Sequence, residues 1–422
     1  MLDKYKDYLD LISEHPDYTC KQLSDRLEIS ELELQDYADK LKGDDSAWRY
    51  ILRTTHYPEF IDTFFSIVDR DREWLNSCIA EEFVFPKILE IHPGPTCTHN
   101  CKHCFSRGNE YDENDDLMTL DDLKYVLTVC GGEGTEEVWI SGGKEPFTAS
   151  YTHELINLAA DMGFRVRLYT NGLLMQGERL RAALRCYQVR VSLNAINEKT
   201  YAEVNGTPSH DVVMRNFEKL LSERLAGNLD TNVIACMIVQ PDNHKEVYEF
   251  AEKMICMGAN RVQLRSDSVG RTGRLLTFEI ERILEQISRV KKEYGKIVDI
   301  RGLEKEDFSS GSQFYPGLGC PQTCYAGAYK RSINPFGDVY YCDFSSHPVF
   351  SKERINLCIG NIKEDNIREV FSRAFHEVVP TCELCQQHGY GLNLQIHKLK
   401  EDLDYGISID KQPFNRTKNE GG

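Results

Sequence analysis

Three cysteines stand close together at Cys97, Cys101 and Cys104, in the spacing C-x3-C-x2-C. Three thiolates in one loop can hold three irons of a [4Fe-4S] cluster and leave the fourth iron open to a further ligand. The same thiols could instead form a Cys3His zinc site with His99 or His103. The spacing alone leaves both kinds of metal centre open.

A second group of cysteines gathers in the last quarter of the chain. Its members are Cys320, Cys324, Cys342, Cys382 and Cys385. A reducing compartment disfavours disulfides, so clustered cysteines there indicate metal binding or catalysis. A zinc ribbon is one alternative for this group. The other cysteines of the chain stand singly, and most of them read as small buried hydrophobes.

The elements that must position these residues alternate between strand and helix from residue 84 onward. Strands are predicted at 83–93, 136–143, 164–172, 188–195, 230–239 and 260–266. Helical spacing of apolar residues appears near 119–130, 152–162, 176–185, 209–225, 243–257 and 276–294. Six such βα units predict an α/β fold with a partial (β/α)6 TIM-like barrel. The first cysteine loop then follows the first strand, at the barrel end that carries active sites.

Two marks in the right order resemble the radical S-adenosylmethionine (radical SAM) superfamily. One is the cysteine loop, with His103 just before its third cysteine, and the other is the turn from Ser141 to Pro146, SGGKEP, after the second strand. The resemblance implies that the open iron binds SAM. It also implies that the reduced cluster cleaves SAM to a 5′-deoxyadenosyl radical, which abstracts a hydrogen atom from the substrate. With this context, the zinc alternative for the first loop is strongly disfavoured.

The resemblance also implies contacts to SAM from the ends of several strands. Gly142 and Gly143 expose backbone that can approach the methionine amine, and Glu145 can offset the charge of that amine. The further residues placed where the family contacts the cofactor are His103, Asn171, Ser192, Asn194, Gln263 and Arg265. Of these, Arg265 could bind the SAM carboxylate or an anionic group of the substrate. An ordinary surface or capping role is the alternative for each.

The C-terminal cysteines resemble the Twitch form of the SPASM auxiliary-cluster domain. The step from Gly337 to Cys342 and the closing pair Cys382 and Cys385 carry the resemblance. It implies one auxiliary [4Fe-4S] cluster, with Cys324, Cys342, Cys382 and Cys385 as ligands. Cys320 is then left over as an alternative ligand, a packed thiol or a catalytic hydrogen-atom donor.

Three domains are expected from the pattern of elements along the chain. Residues 1–83 are predicted to be helical, 84–300 to form the radical SAM partial barrel, and 301–422 to form a small α+β auxiliary-cluster domain with a tail. The helices at 3–43 resemble a helix-turn-helix. Because that segment is rich in Asp and Glu, a packing or docking role is favoured over DNA binding.

Composition excludes several partners. The formal net charge is −17 in 422 residues, so the positive field that nucleic-acid binders use is lacking. No apolar stretch approaches the roughly 20 residues of a membrane helix, and the N-terminus has no apolar signal core. We therefore expect a cytoplasmic protein that binds neither nucleic acid nor membrane and takes electrons from a donor such as flavodoxin or ferredoxin.

The substrate is the least constrained expectation. Residues 1–83 look helical, unlike the winged-helix leader-binding domain of many peptide modifiers, so a small polar substrate is favoured, such as an amino sugar, aminocyclitol or aminoglycoside in natural-product biosynthesis. The alternative is crosslinking, oxidation or epimerisation of a ribosomally synthesised peptide. Asp267, Asp343 and Tyr169 are expected within reach of the substrate, in roles that the sequence does not rank. Oxidation, elimination and epimerisation all remain open.

Overall fold

A computed structural model describes residues 7–8, 11, 25–30, 72–80, 82–104, 106–108, 116–267, 272, 275–301, 303, 325–341 and 358–376. The chain divides into two compact units, one of residues 1–84, 317–326 and 380–422 and the other of 85–316 and 327–379. Most of the predicted N-terminal helices lie outside the described residues. Within the first unit, helix α1 (Arg72–Ile79) buries Leu75 and Cys78.

From residue 85 onward the chain alternates strands and helices. Its strands are β1 (Ile88–Ile91), β2 (Glu137–Ile140), β3 (Arg165–Thr170), β4 (Gln188–Ser192), β5 (Asn232–Val239), β6 (Arg261–Ser266), β7 (Val298–Arg301), β8 (Lys330–Ile333), β9 (Asp338–Tyr340) and β10 (Cys358–Asn361). The helices are α2 (Leu120–Gly132), α3 (Thr152–Asp161), α4 (Glu178–Ala183), α5 (Glu198–Asn205), α6 (His210–Ala226), α7 (Val247–Cys256), α8 (Thr277–Tyr294), α9 (Tyr325–Tyr329) and α10 (Ile367–His376). None of these helices, nor any other among the described residues, has the length and apolar character to cross a membrane.

The strands form one sheet in the order β10-β9-β8-β1-β2-β3-β4-β5-β6-β7. From β8 through β1 to β7 every neighbouring pair is parallel, whereas β9 and β10 join antiparallel at one edge. The predicted fold class, α/β with a partial parallel barrel, is confirmed. Strands β7 and β8 add two parallel strands to the six that the sequence predicted for the barrel.

Local signals explain where several elements begin and end. Helix α2 begins at a capping box, because the Thr119 hydroxyl accepts from the Asp122 amide and the Asp122 carboxylate accepts from the Thr119 amide at 2.8 Å. Helix α5 was not predicted, yet Asn197 caps its start and Gly206 ends it at φ +67°. Such caps fix the loops at the carboxyl ends of the strands.

The two faces of the parallel sheet differ in chemistry. Alternate residues such as Val166, Leu168, Val189 and Val191 are fully or almost fully buried in the apolar core with the helices. We call this the outer face. The residues between them form the inner face: Glu90, Trp139, Arg167, Tyr169, Arg190, Ser192, Gln263, Arg265, Asp299, Arg301 and Lys330. Parallel strands that are buried on both faces are apolar along almost their whole length. These strands alternate apolar and polar residues instead, which indicates that the inner face contacts polar groups.

Candidate active site

The first cysteine loop begins directly after β1 and is tied to the C-terminus of α5. The Asn100 amide donates to the Asn205 carbonyl at 3.0 Å, and the Lys102 amide donates to the Val204 carbonyl at 2.9 Å. Lys102 also pairs with Asp242 at 2.8 Å. A Cβ at Gly206 would collide with the Asn100 carbonyl. The loop therefore depends on a helix end that lies a hundred residues further along the chain.

The three thiols share one electrostatic environment. Burial raises the pKa of Cys101, and interactions with Cys104 and Cys97 raise it further. The pKa of Cys97 is also raised, first by partial desolvation of its sulfur, although the residue as a whole keeps exposed surface, and then by the charges of Glu145 and Cys104. Binding to iron would stabilise the thiolates that this environment disfavours.

The donor set fits a [4Fe-4S] cluster. The ligands of such a cluster each bind a different iron, and the three cysteines of this loop supply three of them. Cys97 is exposed and Cys101 and Cys104 are half-buried, so the loop also leaves room for a further ligand.

The glycine turn after β2 is joined to the cysteine loop. Gly142 has φ +145°, and a Cβ there would lie 3.2 Å from the Cβ of His92. The Glu145 amide donates to the Thr96 carbonyl at 3.0 Å, and a Cβ at Gly94 would collide with the Glu145 carbonyl. Backbone of the turn and backbone of the loop thus approach each other too closely for a side chain. Gly143, which belongs to the turn, is buried.

Glu145 links this turn to the end of β3. Its buried carboxylate accepts from the Thr170 hydroxyl at 2.7 Å, the Asn171 amide at 2.8 Å and the Phe147 amide at 3.2 Å. Burial raises the pKa of Glu145, while these hydrogen bonds act in the opposite direction. Both carboxylate oxygens therefore serve to hold the two turns together.

The polar residues at the ends of β3 and β4 have different surroundings. The Asn171 side-chain amide donates to the Thr98 hydroxyl at 2.9 Å and lies 3.9 Å from the Cys97 sulfur. Ser192 is half-buried on the inner face. Asn194, buried at φ +64°, donates to the Asn205 side chain at 2.8 Å and accepts from the Ile238 amide at 2.9 Å. Asn171 thus meets the cysteine loop directly, and Asn194 reaches it through Asn205.

Two histidines of the loop are neutral at pH 7. Burial lowers the pKa of His99 and of His103 to about 4 in each case. The His99 ring lies 2.8 Å from the buried Tyr201 hydroxyl, and Nδ1 of His103 lies 3.2 Å from the Gln240 side-chain amide. These contacts bind the loop to α5 and to the end of β5.

Ion pairs line the inner face below the loop. Arg167 pairs with Glu137 at 2.8 Å, Lys330 with Glu90 at 2.8 Å, and Arg301 with Asp299 at 2.7 Å. Burial works to raise the pKa of Glu90, but the charge of Lys330 and a hydrogen bond with His92 hold that pKa well below its ordinary value. The carboxylates of this face are therefore ionised at neutral pH.

The remaining candidates lie on the same face or at its edge. The Tyr169 ring lies 5.8 Å from the Trp139 ring and 4.2 Å from the Arg190 guanidinium. Gln263 donates to Asp299 at 2.8 Å. Arg265 is half-buried at the end of β6, and Asp267 accepts from the Thr272 amide at 2.9 Å. Among the strand-end candidates the structure thus ties Asn171 to the cysteine loop, whereas Tyr169 and Gln263 make their contacts on the inner face.

The predicted auxiliary ligands, Cys320 and Asp343 lie outside the described residues. The ligands in question are Cys324, Cys342, Cys382 and Cys385. Sequence reasoning also missed Asn205, Tyr201 and Arg190. For Asn205, the helix-ending Gly206 was the available signal. For Arg190, the signal was a charged residue at an alternate position of a buried strand.

Two known protein families match parts of this chain. Residues 91–254 match the radical SAM superfamily, and residues 324–387 match SPASM, an iron-sulfur cluster-binding domain. This chain is a radical SAM enzyme. The enzyme binds SAM at a [4Fe-4S] cluster and carries auxiliary iron-sulfur ligation in its C-terminal domain.

The radical SAM enzyme is similar to proteins with different substrates. GTP 3′,8-cyclase of Clostridium perfringens is 24% identical over 305 residues, covering 68% of this chain and 89% of the cyclase. Mycofactocin maturase MftC of Mycolicibacterium smegmatis is 26% identical over 280 residues, covering 64% of this chain and 65% of the maturase. The fold is similar to that of Streptococcus suis SuiB bound to precursor peptide SuiA, with a TM-score of 0.52 and 14% identity over 87% of this chain and 81% of SuiB.

Proposed function

We propose that the enzyme holds its SAM-binding cluster on Cys97, Cys101 and Cys104, and its auxiliary cluster on Cys324, Cys342, Cys382 and Cys385. The contact between Asn171 and the cysteine loop, 3.9 Å from the Cys97 sulfur, supports the first assignment. When bound, the cluster and SAM supply a 5′-deoxyadenosyl radical for hydrogen-atom abstraction. Radical formation is then assigned to residues 84–300, and electron transfer through the auxiliary cluster to residues 301–422.

The residues around the loop are assigned two kinds of role. Gly142 and Gly143 present backbone to the methionine amine, and His103, Ser192 and Arg265 contact the cofactor directly. Asn171 contacts both the loop and SAM. Because the carboxylate of Glu145 and the side chain of Asn194 are already engaged by hydrogen bonds, they act by fixing the turns that touch SAM.

The substrate that the geometry supports best is a peptide, modified by crosslinking, oxidation or epimerisation. In the described residues the sheet ends at β7 on one side and at β10 on the other, so the barrel is partial. Its inner face carries polar and charged side chains along several strands, which suits the many hydrogen-bonding groups of a peptide, and this face carries the proposal. It is also in keeping with the peptide-bound SuiB, whose fold likeness extends over most of this chain.

A small polar substrate is the second candidate. The similarity to GTP 3′,8-cyclase over 68% of this chain favours it, since that enzyme acts on a nucleotide. The predicted amino sugars, aminocyclitols and aminoglycosides belong to this second candidate. In either case Cys320 is a candidate hydrogen-atom donor to a substrate radical.

A deuterium-transfer experiment separates the two candidates. Reconstituted enzyme with SAM and a reductant would be given deuterated peptides encoded beside its gene, deuterated GTP, or a deuterated aminocyclitol. Deuterium appearing in 5′-deoxyadenosine from a peptide, together with a mass change of that peptide, is the expected result. Transfer from GTP or the aminocyclitol alone would contradict the peptide proposal. Cys97→Ala is the inactive control, and Cys256→Ala, at an exposed cysteine of α7, is its matched active control.

A further inference from the structure

Arg190 differs from three other cations of the inner face. Arg167, Arg301 and Lys330 each have a carboxylate oxygen within 2.8 Å. In the part of the chain that the structure describes, Arg190 has no carboxylate partner, and its hydrogen bond is from Nη1 to the Gln263 side-chain oxygen at 3.2 Å. A half-buried guanidinium with its charge left unpaired is unfavourable unless a ligand completes it.

The guanidinium is nevertheless held in place. It lies 4.2 Å from the centre of the Tyr169 ring, a cation–π distance, and Tyr169 is directly opposite Arg190 in the β3–β4 ladder. Gln263 is itself oriented by its donation to Asp299 at 2.8 Å. Neutral neighbours thus fix the arginine without neutralising it, which is the arrangement of a pre-organised anion site.

One donor of this guanidinium is unused. The Nε atom of Arg190 is buried and has no hydrogen-bond partner among the described residues. A buried donor without an acceptor costs about 1–3 kcal/mol. The described residues therefore leave part of the hydrogen-bonding capacity of this guanidinium unfilled.

The position of Arg190 separates it from the cofactor-binding rim. Arg190 precedes Ser192 by two residues on β4, and both side chains are on the inner face. At the rise of a β-strand this sets Arg190 roughly 7 Å deeper than the strand end, away from the loop that Asn171 contacts. The arginine therefore lies deeper on the inner face than the strand-end residues assigned to SAM, where a substrate group could reach it without displacing the cofactor.

We propose that Arg190 is a specificity-determining residue that binds a carboxylate of the peptide substrate, from an Asp or Glu side chain or the C-terminus. The proposal rests on the proposed peptide function. A singly charged carboxylate fits this site better than a phosphate. Gln263 is hydrogen-bonded both to Arg190 and to Asp299, so the Asp299 carboxylate is close to the guanidinium. Its negative charge would repel a dianion more strongly than a monoanion. Arg190 would anchor the peptide at a fixed depth on the inner face and so determine which of its residues is modified.

The test combines enzyme variants with paired peptides. Arg190→Gln and Arg190→Lys would be compared with wild type on a peptide that the enzyme modifies, on versions in which each Asp or Glu is replaced by Asn or Gln, and on a version with an amidated C-terminus. For one carboxylate, Arg190→Gln should raise KM by about 10- to 100-fold, and the matching amide peptide should show no further rise. Arg190→Lys should be intermediate, since lysine keeps the charge but not the planar fork. SAM affinity should be unchanged.

Arg181→Gln is the matched control, because it removes the same charge from an exposed position of α4. Equal effects of Arg190→Gln on acidic and amide peptides, or a loss of SAM affinity, would overturn the proposal. If the wild-type enzyme turns over no peptide, the proposed function fails instead. In that event, binding of N-acetylglutamate amide to the holoenzyme still tests the anion site: equal affinities of wild type and Arg190→Gln would overturn it.

Discussion

On the outer face of the parallel sheet, Leu89 and Leu168 are fully buried against the helices. Their neighbours in the same strands, Glu90 and Arg167, carry charge and form ion pairs on the inner face. One set of strands thus provides an apolar core on one side and a polar reaction surface on the other. The comparison shows that side-chain alternation lets stability and chemistry be assigned to different residues of the same strand.

The largest expected effect comes from removing the cysteine loop's thiols, at the carboxyl end of this sheet. Replacing Cys97, Cys101 and Cys104 by Ala should abolish 5′-deoxyadenosine formation, since no ligand set for the SAM-binding cluster is left. Chromatography of reaction mixtures measures this, and circular dichroism should show that the outer-face core still folds. Cys256→Ala should keep full activity. Undiminished SAM cleavage by the triple variant would contradict the assignment.

On the outer face, Leu168→Ala should chiefly change stability. Leu168 is fully buried, so truncation should lower the free energy of unfolding by about 2–5 kcal/mol. Activity per folded molecule should change little. Denaturant titration gives the stability, with Leu225→Ala, at an exposed position, as a control expected to stay within about 0.5 kcal/mol of wild type. If Leu168→Ala lost activity but kept its stability, the assignment of stability to the outer face and chemistry to the inner face would be contradicted.

Gly206 affects both the fold and the site, because it ends helix α5 and packs against the cysteine loop. Gly206→Ala should cost about 1–2 kcal/mol in unfolding free energy because φ is +67°, and it should also lower iron occupancy because the new Cβ collides with the cysteine loop at Asn100. Gly258→Ala is the control: φ is +97°, but the nearest atom to the new Cβ is 3.9 Å away. Iron assays should separate the two variants, and equal iron content in both would contradict the role given to Gly206.

The smallest expected effect concerns the inner-face ion pair. Burial works to raise the pKa of Glu137, but hydrogen bonding and the charge of Arg167 bring it below the ordinary value of 4.5. A lowered folded-state pKa means that this carboxylate stabilises the fold above the ordinary value, and that the contribution is lost as pH falls through the folded-state pKa. Glu137→Gln should be about 1 kcal/mol less stable at neutral pH, with the gap closing in acid. If the difference in unfolding free energy between wild type and Glu137→Gln stayed constant from neutral to acidic pH, the ionised pair would contribute nothing to stability.

Much of the parallel sheet could be predicted because its strands are regular in sequence. Alternation such as Arg-Val-Arg-Leu-Tyr-Thr in β3 indicates both the strand and its buried side. Strand β7 was missed because Val298–Arg301 follows α8 after only a short turn, so no loop separates the helix from the strand in sequence. Helix α5 was missed because its length and composition give little apolar periodicity, although its caps were readable.

The candidate site divides in the same way. The cysteine spacing and the glycine turn are local, so sequence alone could single them out. The contacts of the loop to Asn205 and Tyr201 join segments about a hundred residues apart, and no local pattern records such contacts. For the same reason the sequence placed Glu145 and Asn194 near SAM but did not show that hydrogen bonds to other parts of the site already occupy their side chains.

The most direct test of the account is the iron and sulfide content of anaerobically reconstituted enzyme, measured together with SAM cleavage. We predict about eight irons per chain, falling to about four when Cys97, Cys101 and Cys104 are replaced by Ala and equally to about four when Cys324, Cys342, Cys382 and Cys385 are replaced. Only the first set of changes should abolish 5′-deoxyadenosine formation outright. Zinc in place of iron, without SAM cleavage, would contradict the central claim.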